Sequence, residues 1–111
     1  MSFHHSAKDI HIEQDGQSTF LLCHVSDNNG NFHGTKIRLD DHIGNSDGWF
    51  KWGGVNFTQS ARNIALVHTN EGPKLEADLS MINGGSRGRQ GMFLSQKITN
   101  EGGRLRFIGG E

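Results

Sequence analysis

Phe3-His4-His5-Ser6-Ala7-Lys8-Asp9-Ile10-His11-Ile12 returns, 54 residues later, as Phe57-Thr58-Gln59-Ser60-Ala61-Arg62-Asn63-Ile64-Ala65-Leu66. Phe, Ser, Ala and Ile stand in matching places, and Lys/Arg, Asp/Asn and Ile/Leu exchange conservatively. The far ends of the two units match as well. Ile37-Arg38-Leu39, Ile43, Asn45, Gly48 and Phe50-Lys51-Trp52 correspond to Met92-Phe93-Leu94, Ile98, Asn100, Gly103 and Leu105-Arg106-Phe107, with one extra residue in the second unit. Two matches in the same order at nearly the same spacing point to a tandem duplication.

Each unit reads as strands and turns. Ile10 and Ile12 alternate with polar neighbours, as do Leu75, Ala77 and Leu79, and Leu105 and Phe107; Phe20-Leu21-Leu22-Cys23-His24-Val25 is a β-rich run. A period of two buries one face of a strand and leaves the other wet. Asp15-Gly16, Asn29-Gly30, Asp47-Gly48, Glu71-Gly72-Pro73 and Asn83-Gly84-Gly85 punctuate the runs with residues that accept positive φ, which favours hairpins. Asp40-Asp41-His42-Ile43 fits one helical turn capped by Asp40, and Phe3–Ser6 and Phe57–Ser60 fit similar turns. A lone unit of this size would bury too little to fold, so the two units are expected to share one core.

Composition narrows the function classes. The 111 residues suit one domain, and hydrophobic residues make up only 32%, so the core must be thin and well matched. No apolar run approaches the ~18–20 residues of a membrane span. Eleven Lys and Arg against twelve Asp and Glu leave a net charge of −1, which argues against a nucleic-acid partner held by phosphate neutralisation. The start of the chain lacks a basic segment followed by an apolar one, and the single Cys23 has no internal partner, so a reducing, cytoplasmic setting is expected. The seven histidines are scattered apart from His4-His5, with no metal-ligand spacing, and no nucleophile or carboxylate pair can be placed; neither metal, cofactor nor enzymatic activity is expected.

Leu39-Asp40-Asp41-His42-Ile43-Gly44-Asn45-Ser46-Asp47-Gly48-Trp49-Phe50-Lys51-Trp52, followed by Asn56-Phe57-Thr58-Gln59-Ser60-Ala61-Arg62-Asn63-Ile64, resembles the signature of the cyanovirin-N homologue family, and most closely its fungal members. The resemblance runs from Phe3 to Phe107 and is poorest across residues 80–91. It implies an all-β, pseudo-symmetric two-repeat fold with short helical turns, in which each half is a three-stranded sheet plus a β-hairpin. The halves would intertwine: half A from residues 1–42 plus 97–111, half B from residues 43–96. Where the founding member of the family has one disulfide per half, this chain has Ala7 with Val25 and Ala61 with Leu79, apolar pairs that would keep the contact without the covalent tie. Cys23 is offset from those positions and reads as a buried thiol.

The resemblance also implies the function, a non-enzymatic lectin for terminal α(1→2)-linked mannose. Sugars present many hydroxyls, so a site needs rigidly held carboxylates, amides and backbone groups. In half B, the preferred site, this would be Gly44, Asn45, Ser46, Asp47, Val55, Asn56, Ser60, Ser80, Met81 and Ile82, with Asp47 as the acid at the pocket floor and Gly44 in place of a second acid. In half A it would be Ser2, His5, Ser6, Ser26, Asp27, Asn28, Asn100, Glu101 and Gly102, where Gly102 stands in the position of the key acid. Shallow-pocket affinity of ~4–8 kcal/mol is expected, mainly through one site. Trp49 and Trp52 are both candidates to stack on a sugar, with at least one anchoring the core. The competing reading is a protein-interaction module that keeps the fold with degenerate pockets. The linker Gly53-Gly54-Val55 is flexible and lacks proline, so a monomer is expected, with a domain-swapped dimer as the alternative.

Overall fold

Turn residues divide the described part of the chain into ten strands. A computed structural model describes residues 3–108. β1 (Ala7–Asp15), β2 (Ser18–Ser26) and β3 (Phe32–Arg38) form one antiparallel sheet, and β6 (Ala61–Thr69), β7 (Gly72–Ser80) and β8 (Ser86–Phe93) form its counterpart. Two hairpins complete the fold, β4 (Ile43–Ser46) with β5 (Trp49–Trp52), and β9 (Ile98–Asn100) with β10 (Leu105–Phe107). Short 3-10 turns at Phe3–Ser6, Leu39–Asp41, Phe57–Ser60 and Leu94–Gln96 join these pieces.

The hairpins do not stay with the strands that precede them. β9–β10 packs against β3 and the Phe3–Ser6 turn, while β4–β5 packs against β8 and the Phe57–Ser60 turn. The result is a body of 50 × 26 × 25 Å. One apolar cluster draws on both repeats: Leu21, Val25 and Leu39 lie with Phe57, Leu75 and Leu94, all essentially without exposure. Near the middle, the matching residues Trp52 and Phe107 stack on each other at 5.7 Å, and His42 covers Phe107 at 4.3 Å. Trp52 is thus half buried, the one of the two tryptophans that serves the core.

The alternation read from sequence is realised in the central strands. Thr19, Leu21, Cys23 and Val25 of β2 point inward, as do Leu75, Ala77 and Leu79 of β7. Ala7 pairs with Val25 and Ala61 with Leu79, so the two apolar pairs singled out in the sequence are direct cross-strand partners. Both first strands carry a one-residue bulge, between Lys8 and His11 and between Arg62 and Ala65. The left-handed residue in each is Asp9 (φ 57) or Asn63 (φ 55). Asp and Asn tolerate that conformation better than other side chains, which explains their exchange between the repeats.

The expected Asp40 cap is corrected by the structure. The Leu39–Asp41 turn has no side-chain cap. Asp40 is fully buried and its carboxylate serves elements distant in the chain. Oδ2 accepts from Thr19 N–H at 2.8 Å and from the Thr58 hydroxyl at 2.7 Å, and Oδ1 accepts from Thr58 N–H at 2.8 Å. A charged acceptor is therefore worth burying, because three donors surround it. Its counterpart in the second repeat is Ser95, whose hydroxyl meets His4 Nδ1 at 2.9 Å. The residue matching Thr19 is Pro73, which has no N–H to satisfy. Burial, and then the neighbouring His5, hold the His4 pKa below its ordinary value.

Candidate functional site

Each hairpin tip is pinned by one asparagine. Asn45 Nδ2 donates to Ser60 Oγ at 2.8 Å and to the Ser80 carbonyl at 2.9 Å, while its Oδ1 accepts from Gly48 N–H at 2.8 Å. Asn100 repeats the arrangement with Ser6 Oγ at 2.9 Å, the Ser26 carbonyl at 2.8 Å and Gly103 N–H at 3.0 Å. An amide offers two donor hydrogens, and both are used. The asparagine therefore gathers three walls, namely the hairpin, the 3-10 turn and the end of the central strand, into a fixed groove. The turns demand glycine. Gly48 (φ +91) has Met81 and Arg87 so close that a Cβ would come within 2.9 Å of the Met81 side chain, and Gly103 (φ +105) is similarly pressed by His33 and Asp27.

Half B surrounds its groove with an acid from the hairpin. Asp47 (φ 49) is partly exposed; its Oδ1 accepts from Ile82 N–H at 2.9 Å and its Oδ2 from Arg87 Nη2 at 3.3 Å. Ser46, Val55 and Asn56 are exposed beside it, and Asn56 bridges to Gly44 across the strand edge. Gly44 is buried because the linker lies on it: a Cβ there would sit 2.9 Å from Val55 N and 3.0 Å from Gly54 Cα. The loss of the acid expected at this place thus coincides with close backbone packing of the linker. Met81 and Ile82 form the third wall, and Ile82 is 90% exposed.

Half A draws its acid from the opposite wall. Gly102 stands at the hairpin position of Asp47, and Glu101 turns away to pair with Arg106 at 2.8 Å. Asp27 lies instead on the turn after β2, where Oδ2 accepts from His33 Nε2 at 2.6 Å and Oδ1 accepts from the N–H groups of Asn29 and Asn31 at 2.8 and 3.0 Å. The bond from His33, followed by those two backbone donors, pulls the Asp27 pKa down to about 2. The carboxylate is fixed as an anion, but most of its acceptor capacity is taken. His5 and Asn28 are exposed around this tip, and Ser2 lies outside the described residues.

The CVNH domain pattern matches residues 3–106. The chain belongs to the cyanovirin-N homologue family of lectins. A cyanovirin-N homologue of Neurospora crassa is 37% identical over 109 residues, covering 95% of this chain and 96% of that protein. Among solved structures, the NMR structure of the Gibberella zeae homologue superposes with a TM-score of 0.84 at 35% identity, covering 96% of this chain and 97% of its own. Microvirin, solved as a mannobiose complex, does so with a TM-score of 0.80 at 26% identity, covering 96% and 97%.

Within this cyanovirin-N homologue, Asn45, Ser60 and Ser80 meet at the half-B tip and Asn100, Ser6 and Ser26 at the half-A tip, while Glu101 points away. Two residues at the tips escaped the sequence reading of the sites: Arg87 in half B and His33 in half A. Trp49, a stacking candidate from the sequence, is exposed beside the half-B tip. Arg87 sits 40 residues from the aspartate it pairs with, a separation at which no local pattern reveals a contact. Two surface depressions lie away from the tips. One, of about 370 Å³, runs over Leu22, His24 and Gly34 on the outer face of the first sheet; the other, of about 360 Å³, lies beside Phe93 and Ser95. Neither is lined by the asparagines that pin the hairpin tips. Among the described residues, no three His, Cys, Asp or Glu side chains are grouped to hold a metal.

Proposed function

We propose that this lectin binds terminal α(1→2)-linked mannose, chiefly in half B and without any catalytic step. The supporting observation is the tip of the β4–β5 hairpin, where Asn45 fixes three walls around the partly exposed Asp47 carboxylate. A carboxylate held there accepts from two vicinal hydroxyls, and exposed Ser46 and Asn56 supply further partners. The mannobiose complex of microvirin supports the choice of ligand. Half A is the weaker site, because Gly102 supplies no acid and Asp27 is already bonded three times. Groove-like sites of this kind bind at ~4–8 kcal/mol, between millimolar and micromolar.

Titration of isotope-labelled protein with α(1→2)-mannobiose tests the reading. Amide shifts should centre on residues 44–48, 56–60 and 80–82. Shifts confined to half A, or none, would refute it. One observation favours a protein-interaction module instead: Asp47 already meets Arg87 and Ile82 N–H. A half-exposed ion pair of this kind is worth only ~0–1 kcal/mol, so a sugar can displace it. A glycan array blank for α(1→2)-mannose ends would favour the module. We further propose that the chain is a monomer, since the linker folds back closely at Gly44 and Gly54. Light scattering should give the chain mass of 12.3 kDa, and a mass of twice that would contradict it.

A further inference from the structure

The two repeats differ most tellingly at one point. In the second sheet Asp78 pairs with Arg89 but Ser80 pairs with Ser86, so Arg87 and Gly88 together face a single residue of β7. This is a β-bulge, with Gly88 at φ 96, and it holds the extra residue of the second unit. The first sheet has no bulge there: Val25 pairs with His33 and Ser26 with Phe32 in unbroken step. Bulges re-aim side chains. Arg87 projects from the bulge to the hairpin, where Nε donates to the Asp47 carbonyl at 2.9 Å and the guanidinium lies 4.5 Å from the centroid of the Trp49 ring. Trp49 nonetheless remains 51% exposed. In the first repeat the bulge is missing, Arg104 replaces Trp49 and Gly102 replaces Asp47. The bulge, the cation, the acid and the aromatic ring are present together or absent together.

We propose that Trp49, steadied by Arg87, is a stacking platform that extends the half-B groove outward by one sugar unit, so that this half prefers a linear α(1→2)-linked mannotriose to the disaccharide. The proposal rests on the sugar-binding reading given above. Strand register places the ring on the ligand side. Ser46 pairs with Trp49, so the two share a hairpin face; Gly44 lies on that face two residues earlier, and Asn56 bridges to it. A pyranose ring carries an apolar patch of C–H groups that packs on an aromatic face, burying area that would otherwise stay wet. Ordering a free side chain on binding costs conformational entropy, and the Arg87 contact has already restricted this one. The bond from Arg87 Nε to the Asp47 carbonyl does not involve the carboxylate, so Arg87 stays beside Trp49 when a sugar takes over the carboxylate.

The test compares mannobiose and linear α(1→2)-mannotriose on the intact protein, Trp49→Ala and Trp49→Phe, by calorimetry and by the indole N–H resonance of Trp49. Covering about 50 Å² of ring predicts a gain of about fivefold to tenfold for the triose over the biose. Trp49→Ala should cut that gain to about twofold or less while leaving mannobiose affinity within about twofold, and Trp49→Phe should keep part of the gain. The Trp49 indole signal should move with the triose and not with the biose. An unchanged gain in Trp49→Ala, or a stationary indole signal while residues 44–48 respond to mannobiose, overturns the platform and leaves the half-B site standing. Failure of mannobiose to shift the half-B amides overturns the underlying site reading and the platform with it.

Discussion

Replacing Asp40 by alanine removes the acceptor of three hydrogen bonds of 2.7–2.8 Å at a fully buried position. Thr19 N–H then has no partner in a place that water does not reach, at a cost of about 1–3 kcal/mol, and the Thr58 N–H and hydroxyl add about 1–2 kcal/mol between them. Relief from burying a charge returns part of this, and the small cavity takes part away, so a net loss of about 3 kcal/mol is expected. That is a large share of the ~5–15 kcal/mol typical of a domain. Asp40→Asn should cost less, about 1–2 kcal/mol, since its carbonyl still serves one N–H. Ser95→Ala is the internal control. It loses one hydrogen bond to His4, and Pro73 opposite has no N–H to orphan, so it should cost no more than about 1 kcal/mol. Urea unfolding followed by tryptophan fluorescence reads all three variants. Asp40→Ala within 1 kcal/mol of the parent, or a Ser95→Ala loss equal to it, would refute the view that the carboxylate ties the repeats together.

The asparagine pins make a second pair of cases. Asn45→Ala and Asn100→Ala should each lose about 1.5–3 kcal/mol in the same unfolding experiment, and Asn45→Ala should weaken mannobiose binding by spreading the half-B walls, a result read in the titration. Asp27 gives a pH dependence. Its folded-state pKa of about 2 lies below the ordinary carboxylate value, so its contribution is complete above about pH 4 and is lost as pH falls through 2. The Asp27 carboxyl carbon should titrate near 2 by NMR, and His33→Ala should move that midpoint upward; a midpoint at the ordinary value would remove the inferred bonds. Burial pushes the Cys23 thiol up to about 11, so a thiol reagent at pH 8 should label the folded protein far more slowly than the urea-unfolded chain.

Much of the fold was legible because it is written in short-range terms. Alternating apolar residues in β2 and β7 become the buried faces of the two sheets. Asp47-Gly48 marks a hairpin tip, since left-handed backbone selects those side chains locally. The bulges at Asp9 and Asn63 show in the sequence only as a conservative exchange between the repeats. Of the half-B residues named by resemblance, Asn45, Ser60 and Ser80 meet at the β4–β5 hairpin tip. What Asp40 does was not legible. Its partners lie 18 and 21 residues away, and a capping role for its own turn is the natural local expectation. The tie between Asp27 and His33 was equally hidden, because nothing in a loop sequence says which of its polar groups will meet.

Duplication, strand positions and the inward face of each strand were determined by the sequence alone, because each depends on residues within a few places of one another. The exchange of hairpins between repeats, the burial of one aspartate among donors from both, and the meeting of Arg87 with Asp47 and Trp49 were decided only when the chain closed on itself. A single extra residue in β8 illustrates the division. In the sequence it is a small offset between repeats; in three dimensions it is a bulge that carries a cation to the opposite wall, because side-chain direction depends on a register that only strand pairing sets.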